Sequence, residues 1–432
     1  MKMLIKNGRI IDPANNLDNC LDILIENSKI SKVGKDIKSN IQETIDAKGK
    51  VVIPGLVDMH VHLREPGRED KETISSATQA ALKGGVTSVL AMPNTQPAMD
   101  SAENIKLLNS IINKSAHNNV FVAGAITKGR QGKELTDIAG LVKFGVVAIS
   151  DDGSSVDSDE IMLEAFKKAR ENNIVVICHS EDKALSANGV VNLGLISTKL
   201  GLRGISRESE YKRVARDIEL AHKIKCPVHI AHVSCKESVE LIARAKKKGV
   251  KVTCETAPHY FAFSEEVLSS FDTNFKVNPP LRGKEDVTAI KEGLKTGIID
   301  VIASDHAPHT ESEKEIEFER AEFGAIGLET ILSASITELV QTGLLTWSDL
   351  VSKLAVNPAK ILGINKGTLS IGQDADIVVI DPDKEWILRK EDIVSKSKNS
   401  PFIGKKMKGV VEYTICGGKI VYRSTDDRRF PS

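Results

Sequence analysis

Paired cysteines, aromatic residues and an excess charge of either sign are all missing or scarce in this chain. The six cysteines are scattered without a Cys-x-x-Cys pair, which favours a reducing compartment and argues against a disulfide framework or a thiolate zinc site. The 59 basic residues balance the 59 acidic ones, and no basic stripe with interleaved aromatics is present. Nucleic acid and anionic membrane are therefore poor candidates for the main partner. The opening MKMLIKNGRI has too short an apolar run for a signal peptide, and no segment approaches a transmembrane span, so we expect a cytoplasmic protein.

The middle of the chain alternates strand-like and helix-like runs. Predicted strands cover 53–62, 87–93, 119–126, 146–151, 174–180, 227–234, 250–256 and 300–305. Predicted helices cover 73–84, 133–144, 158–172, 209–225, 235–248 and 284–297. Eight strands alternating with helices predict an α/β fold whose parallel sheet closes into a (β/α)8 TIM barrel. A doubly wound open sheet is the alternative, but it would gather its ligands at one switch point.

The two ends of the chain have a different pattern. Residues 1–52 and 366–432 both carry short apolar runs separated by Asn, Asp and Gly, as β-hairpins do. Neither end offers enough strands for a core of its own. We therefore expect both ends to form one small β-sandwich beside a barrel that spans 53–365, with a final helical segment near 343–364 linking the two.

The first barrel strand ends in the run from Asp58 to Arg64, DMHVHLR. Strand alternation places His60 and His62 on one face, with Arg64 following on that face. Two imidazoles at a strand end can bind one divalent metal, although two buried structural histidines would give the same pattern. Further segments, each after an apolar run, favour the metal: SDDG at 150–153, CHSED at 178–182, HIAHVS at 229–234 and ASDHAPH at 303–309.

In a barrel the active site lies where the strands end, so these side chains should meet. The predicted set is His60, His62, Asn94, Asp151 or Asp152, His179, His232, Asp305 and His309. Four imidazoles and two carboxylates are too many ligands for one open tetrahedral zinc. They suit two metals about 3.5–4 Å apart with a bridging carboxylate. Asp305 would bind one metal and act as general base and then general acid.

Other polar segments are open to two interpretations. His259 and His306 are either structural or outer partners of the ligands. His229 lies three residues from His232, so alternation turns it to the opposite face. The charged run 311–322 is either a solvated loop or a lid over the site.

Several segments of the chain match the motifs of a known family. The chain resembles the amidohydrolase superfamily and, within it, the bacterial class I dihydroorotases, over essentially its whole length. The matching motifs are DMHVHLREPG at 58–67, MPNT at 92–95, SDDG at 150–153, HSED at 179–182, HVS at 232–234, ETAPHY at 255–260, NPPLR at 278–282, ASDHAPH at 303–309 and FG at 323–324.

The resemblance implies a site with two zinc ions per chain. One zinc would take His60, His62 and Asp305, and the other His179 and His232. Asp152, rather than Asp151, would bridge them. Substrate contacts carry over to the following residues: His62, Arg64, Asn94, Asn278, His309, Phe323 and Gly324.

Two departures from the family pattern stand out. Hydantoinases, allantoinases and some dihydroorotases bridge their metals with a carboxylated lysine on the fourth strand, but Ala148-Ile149-Ser150 contains none. The family's loop usually reads Ala-Pro before Phe-Gly, whereas Ala321-Glu322 stands here. We expect the missing proline to loosen the loop without altering the chemistry.

The implied activity is the reversible cyclisation of N-carbamoyl-L-aspartate to (S)-dihydroorotate in pyrimidine biosynthesis. The alternatives are a hydantoinase or allantoinase, if Arg64 turned away from the metals, and a catalytically silent scaffold homologue. A homodimer is expected, and an association with aspartate transcarbamoylase is a further possible partnership.

Overall fold

The computed structural model describes residues 2–424 of the chain, so Met1 and residues 425–432 of the two predicted terminal segments lie outside the described part. The strands are β1 (Lys2–Asp12), β2 (Leu17–Glu26), β3 (Lys29–Gly34), β4 (Glu43–Asp46), β5 (Val51–Pro54), β6 (Leu56–Val61), β7 (Val86–Ala91), β8 (Asn119–Gly124), β9 (Val146–Ile149), β10 (Val175–Cys178), β11 (Val191–Asn192), β12 (Gly204–Ile205), β13 (Val228–Ile230), β14 (Val252–Thr256), β15 (Val301–Ile302), β16 (Ile377–Ile387), β17 (Lys406–Cys416) and β18 (Lys419–Arg423).

The helices follow the barrel strands and fill the connections. They are α1 (Ile74–Lys83), α2 (Ala102–Ser115), α3 (Ile138–Lys143), α4 (Asp159–Glu171), α5 (Lys183–Ser186), α6 (Leu195–Leu200), α7 (Glu208–Ile224), α8 (Lys236–Lys247), α9 (Pro258–Ala262), α10 (Lys284–Lys295), α11 (Glu311–Lys314), α12 (Ile331–Ser335), α13 (Trp347–Val351) and α14 (Asn357–Leu362). Within residues 2–424, every helix is too short or too polar to cross a lipid bilayer.

The central sheet confirms the predicted barrel. Its eight strands pair in parallel in the order β6-β7-β8-β9-β10-β13-β14-β15, so each lies beside its neighbour in the chain. In an open doubly wound sheet the strand order would reverse partway across the sheet. The order here does not reverse, so that alternative is wrong. Between β15 and β6 the barrel closes through a single bridge, Val61 to His306, and the His62 N–H donates to the His306 carbonyl at 2.9 Å.

A buried carboxylate reinforces this seam between the first and last barrel strands. Asp58 accepts from the backbone N–H of Ser304 at 3.1 Å and from that of His60 at 3.2 Å. One side chain therefore ties the segment carrying the two histidines of β6 to the segment carrying Asp305.

The two ends of the chain pair into one β unit beside the barrel, as predicted, and their strands form a single sheet. Its order is β18-β17-β16-β5-β1-β2-β3, with β4 also paired to β1. Its apolar face has a core of its own that includes Met3, Ile5, Ile23, Ile377 and Ile415. β5 is the element that joins the two ends, because it lies between β1 and β16.

The predicted strand 53–62 is in fact two strands that break at Gly55. Val51–Pro54 belongs to the terminal sheet, and the barrel strand begins only at Leu56. The Gly55 N–H donates to the Asp376 carbonyl at 2.8 Å. A side chain at position 55 would collide with Thr87, so only glycine allows the chain to pass between the two sheets here.

All six predicted helices are present, as α1, α3, α4, α7, α8 and α10, whereas α2 and the short helices α5, α6, α9, α11 and α12 were not predicted. α4 begins where expected, since the Ser158 side chain accepts from the Ile161 N–H at 3.3 Å, and α1 ends at Gly84. The predicted helix 133–144 is shorter and starts after Asp137, whose carboxylate accepts from the Gly140 N–H at 3.0 Å. Helix α2 was not predicted, because its inward face buries only Ile105 and Leu108.

Candidate metal centre

The ends of the barrel strands bring six predicted ligands into one buried cluster. Asp152 lies at its centre, and its two oxygens face different histidines. Its Oδ1 lies 3.3 Å from His60 Nε2, 3.3 Å from His179 Nδ1 and 3.4 Å from His232 Nε2, and its Oδ2 lies 3.5 Å from His62 Nε2. Asp305 Oδ1 lies 3.5 Å from His62 Nε2 and 3.7 Å from His60 Nε2.

The choice between the two neighbouring aspartates is visible in their contacts. Asp151 accepts from the backbone N–H groups of Ile126 at 2.8 Å and Thr127 at 3.0 Å, and from the Thr127 hydroxyl. These bonds occupy both of its oxygens with the loop after β8. Only Asp152 therefore reaches the histidines.

The outer contacts of the first two histidines place a hydrogen on Nδ1 of each ring. His60 Nδ1 lies 2.5 Å from the Glu255 carboxylate, and His62 Nδ1 lies 2.9 Å from the Asn94 side-chain oxygen. Both partners are acceptors, so both Nδ1 atoms donate. In its neutral form each ring therefore offers its Nε2 lone pair to a cation held beside the oxygens of Asp152 and Asp305.

This convergence of lone pairs fits a bound cation. The buried atoms His60 Nε2 and Asp152 Oδ1 have no hydrogen-bond partner among the described residues. Two overlapping groups, His60-Asp152-His232 and His60-His62-Asp305, each bring three ligand atoms within 4.8 Å of one another. Imidazole nitrogen with carboxylate oxygen is a donor set that divalent zinc accepts.

Three of the four inward histidines, His60, His62 and His179, have an outer partner that holds the ring, whereas His232 Nδ1 has none among the described residues. Glu255, which holds His60, is fully buried and contacts His229 Nε2 at 3.2 Å through its other oxygen. Glu181 lies 3.3 Å from His179 Nε2 and accepts from Asn278 Nδ2 at 3.3 Å. Sequence reasoning turned His229 away from the ligands, which is correct, but it assigned no role to Glu255 or Glu181.

The pKa shifts of these groups show that the cluster favours positive charge. Burial opposes ionisation of Asp152, but the charge of His60 and the close approach of His179 and His232 outweigh it and hold the pKa of Asp152 well below its usual range. Burial likewise opposes ionisation of Asp305, while the hydrogen bond from His62 lowers its pKa. Burial is outweighed at His179 too, where Asp152 and Glu181 raise the pKa to about 9. Either protons or metal ions can supply the positive charge that balances these carboxylates.

Of the predicted substrate contacts, Asn94 touches the cluster directly through His62, and Arg64 and His309 touch each other. β6 ends at Val61, so Arg64 does not reach the site by strand alternation as predicted; it is brought there by a turn in which its φ is 62°. Arg64 Nε donates to the Pro308 carbonyl at 3.1 Å, and its Nη2 lies 3.3 Å from His309 Nε2. Among the described residues, no carboxylate oxygen lies within 4.0 Å of the Arg64 guanidinium nitrogens. Asn94 contacts His62, as described above.

The loop that carries Phe323 and Gly324 is anchored by buried cations. Lys314 Nζ donates to the carbonyls of Glu322 at 2.8 Å and Gly324 at 3.0 Å, and Lys276 Nζ donates to that of Phe318 at 2.8 Å. The charged run 311–322 is therefore solvated only in part, since Lys314, Phe318 and Ala321 face inward. The Glu322 N–H donates to the Glu313 carbonyl at 3.1 Å. Proline has no N–H and could not make this bond. Glu322 therefore restrains the loop by a hydrogen bond, where the family's proline would restrain it by its fixed φ.

His259 was left between a structural and an outer role. It is buried, its Nε2 has no hydrogen-bond partner among the described residues, and burial lowers its pKa to about 4. Its ring contacts that of Tyr260 at 4.2 Å between centroids. An unpartnered neutral imidazole is therefore available beside the cluster. His306 Nε2 contacts Glu72 at 3.4 Å, away from the ligands.

Comparison with known proteins agrees with this geometry. Residues 49–238 match the family model for dihydro-orotase-like proteins. A dihydroorotase of Elusimicrobium minutum is 54% identical over 420 residues, which cover 97% of each chain. A dihydroorotase of Geobacter metallireducens is 50% identical over 98% of this chain and 100% of its own.

Solved structures share the fold at lower identity. An L-hydantoinase (dihydropyrimidinase) from Arthrobacter aurescens superposes with a TM-score of 0.89 at 26% identity, covering 98% of this chain and 96% of its own. A D-hydantoinase gives a TM-score of 0.87, also at 26% identity, over 98% of this chain and 95% of its own. With two relatives at 50% identity or more over nearly their whole length, the chain belongs to the dihydroorotase family of cyclic amide hydrolases.

Proposed function

We propose that this chain is a metal-dependent dihydroorotase that interconverts N-carbamoyl-L-aspartate and (S)-dihydroorotate. One observation carries this choice of substrate: the Arg64 guanidinium lies beside the ligand cluster and has no carboxylate partner within 4.0 Å among residues 2–424. Burial lowers the pKa of Arg64 to about 10, yet it stays charged at neutral pH. A partly buried cation with free N–H groups favours a substrate that brings its own carboxylate.

The second element of the proposal is a pair of zinc ions. The ligands would be His60, His62, Asp152, His179, His232 and Asp305, with Asp152 bridging. The two overlapping groups contain five of these residues, and His179 lies 3.3 Å from Asp152, so the six together exceed what one tetrahedral ion takes. When bound, such ions polarise a carbonyl and lower the pKa of water toward neutrality.

Asp305 is proposed to carry the proton. Its side chain is 12% exposed, against 3% for Asp152, so Asp305 faces the opening while Asp152 is enclosed. In hydrolysis, water adds to the ring carbonyl, the carbon–nitrogen bond breaks, and the proton that water loses passes through Asp305 to the leaving nitrogen. Ring closure reverses these transfers and releases water.

Substrate binding is proposed for the side chains that converge on this opening. Arg64, Asn94 and His309 would hold the carboxylate, with His62, Asn278, Phe323 and Gly324 nearby. A hydantoinase is the second candidate, since the structural neighbours carry that name, but their identity is only 26% and a plain hydantoin has no carboxylate for Arg64. A silent scaffold is disfavoured because all six metal ligands are retained.

Several broader features are proposed rather than observed. We infer a role in pyrimidine biosynthesis in the cytoplasm, a homodimer, and possible association with aspartate transcarbamoylase. The boundaries 1–52, 53–365 and 366–432 stay predictions; the separate apolar core of the terminal strands supports two folding units.

The metal content gives the most direct test of the two-ion proposal. We expect gently purified protein to contain close to two equivalents of zinc per chain, because the six ligands fill two ions rather than one. Elemental analysis alongside dihydroorotate hydrolysis measures this. Full activity at one stable equivalent would rule out the paired site.

Replacing Glu255 with glutamine should weaken metal binding without unfolding the barrel. Glutamine keeps the shape but has one acceptor oxygen, so it cannot accept from His60 and His229 together. We expect zinc affinity to fall by roughly 10–100-fold. Competition with a chelator measures it, and unchanged affinity would show that Glu255 does not orient His60.

A further inference from the structure

Lys71 is a buried lysine whose position the proposed reaction does not yet explain. It lies in the loop between β6 and α1 and is 6% exposed. Its Nζ lies 3.0 Å from His309 Nδ1 and 2.9 Å from Glu313 Oε1. It therefore contacts one of the proposed carboxylate-binding side chains at Nδ1, whereas Arg64 lies near Nε2.

The contacts of His309 determine which ring nitrogen holds the proton. His309 Nε2 lies 2.8 Å from the backbone carbonyl oxygen of Phe323, which can only accept. Nε2 must therefore carry hydrogen. Nδ1 then presents its lone pair, to which the Lys71 ammonium donates.

A second proton on His309 would be unfavourable. It would sit on Nδ1 and point at the Lys71 ammonium, with only Glu313 Oε2, at 3.5 Å, as an acceptor nearby. Burial and the charges of Arg64 and Lys71 together hold the pKa of His309 far below its ordinary value. The other charged groups near the ring are Lys314, which acts in the same direction, and those lining the adjoining cavity of about 500 Å³: Asp272, Glu311, Glu315, Lys390 and Lys398.

We propose that Lys71 is a positioning residue that fixes His309 as a neutral Nε2–H donor for the substrate carboxylate. This inference rests on the proposed function. In this structure the Nε2 atom lies 3.3 Å from Arg64 Nη2, so an anion bound by Arg64 comes within reach of the same N–H, which it would share with the Phe323 carbonyl. Lys71 contacts Nδ1 rather than Nε2, so it acts through His309.

Arg68 provides a matched control for Lys71. Its guanidinium also binds Glu313, at 2.8 Å, and Asp70, at 2.8 Å, but among residues 2–424 no contact joins it to His309. Arg68→Met therefore removes one positive charge and one bond to Glu313 without changing the neighbour of Nδ1. Lys71→Met removes the same charge and the same kind of bond, together with the donor to His309.

The test compares Lys71→Met, Lys71→Arg and Arg68→Met in the zinc-loaded enzyme, with KM and kcat for dihydroorotate measured from pH 6 to pH 9. For Lys71→Met we expect KM at pH 8 to rise roughly tenfold, with kcat changing much less. As the pH falls through the ordinary histidine range near 6.5, KM of this variant should fall back, because His309 can then take a second proton shared with Glu313. The unmodified enzyme and Arg68→Met should lack this step, and Lys71→Arg should restore most of the affinity.

Nitrogen-15 NMR of His309 tests the proton position independently of turnover. The unmodified protein should show a protonated Nε2 and an unprotonated Nδ1 across this range, and Lys71→Met should not keep that fixed state. A proton on Nδ1 in the unmodified protein, or equal KM increases for Lys71→Met and Arg68→Met, would overturn the proposal. If the unmodified protein failed to hydrolyse dihydroorotate, the proposed function would fall, while the NMR signals would still decide what Lys71 does to His309.

Discussion

Asp152→Ala is expected to lose both metal ions and nearly all activity. The Asp152 carboxylate contacts all four histidines of the cluster, so its removal separates the two ligand groups. The loss should exceed the roughly 10–100-fold that removal of an outer partner costs. Zinc analysis and the rate of dihydroorotate hydrolysis measure the two effects.

Asp151→Ala is the matched control for this prediction. Asp151 accepts three hydrogen bonds from Ile126 and Thr127, so its loss should lower the melting temperature while both zinc ions remain. Because no lysine is present on β9, neither variant should respond to bicarbonate during reconstitution. If Asp151→Ala lost the metals and Asp152→Ala kept them, the assignment of the bridge would be wrong.

Arg64→Lys and Arg64→Met should both cut kcat/KM for dihydroorotate while leaving the zinc ions bound. A charge-assisted bond to a desolvated carboxylate is worth roughly 1.5–3 kcal/mol, which corresponds to about a tenfold to several-hundredfold effect. Lysine keeps the charge but lacks the planar fork, so it should not restore the rate. Steady-state kinetics together with zinc analysis checks this.

The choice of substrate gives the control for Arg64. Dihydrouracil lacks the carboxylate and should be a very poor substrate of the unmodified enzyme. Arg64→Met should leave that weak activity almost unchanged, because dihydrouracil has no carboxylate for Arg64 to bind. Comparable turnover of dihydrouracil, a plain hydantoin and dihydroorotate would place the chain with the broader cyclic amidases.

The barrel and the clustering of the proposed metal ligands could be predicted because both depend on local pattern. Apolar runs with helical stretches between them define β6 to β15, and the strand ends carry His60, Asp152 and Asp305. What pattern cannot supply is the path of the chain after a strand ends. Arg64 was assigned to the site by alternation, but a left-handed turn places it there.

The outer partners could not be assigned because their roles depend on contacts between distant segments. Glu255 and His60 are 195 residues apart, and Lys71 and His309 are 238 apart. One signal was present: Glu255 is a charged residue at the end of an otherwise uncharged strand, a costly arrangement without a partner. Gly55 gave no such signal, because a side chain at position 55 would collide with Thr87 only once the two sheets have come together.

The position of β5 between β1 and β16 has a consequence for synthesis. Val51–Pro54 pairs with Ile377–Ile380, more than 320 residues later, so the terminal sheet cannot be completed until nearly the whole chain has left the ribosome. Until then, β5 has an unpaired edge next to the first barrel strand. Pairing between such distant segments is slow, and exposed edges promote aggregation. A nascent chain stalled before residue 377 would therefore present that edge to chaperones, however complete its barrel.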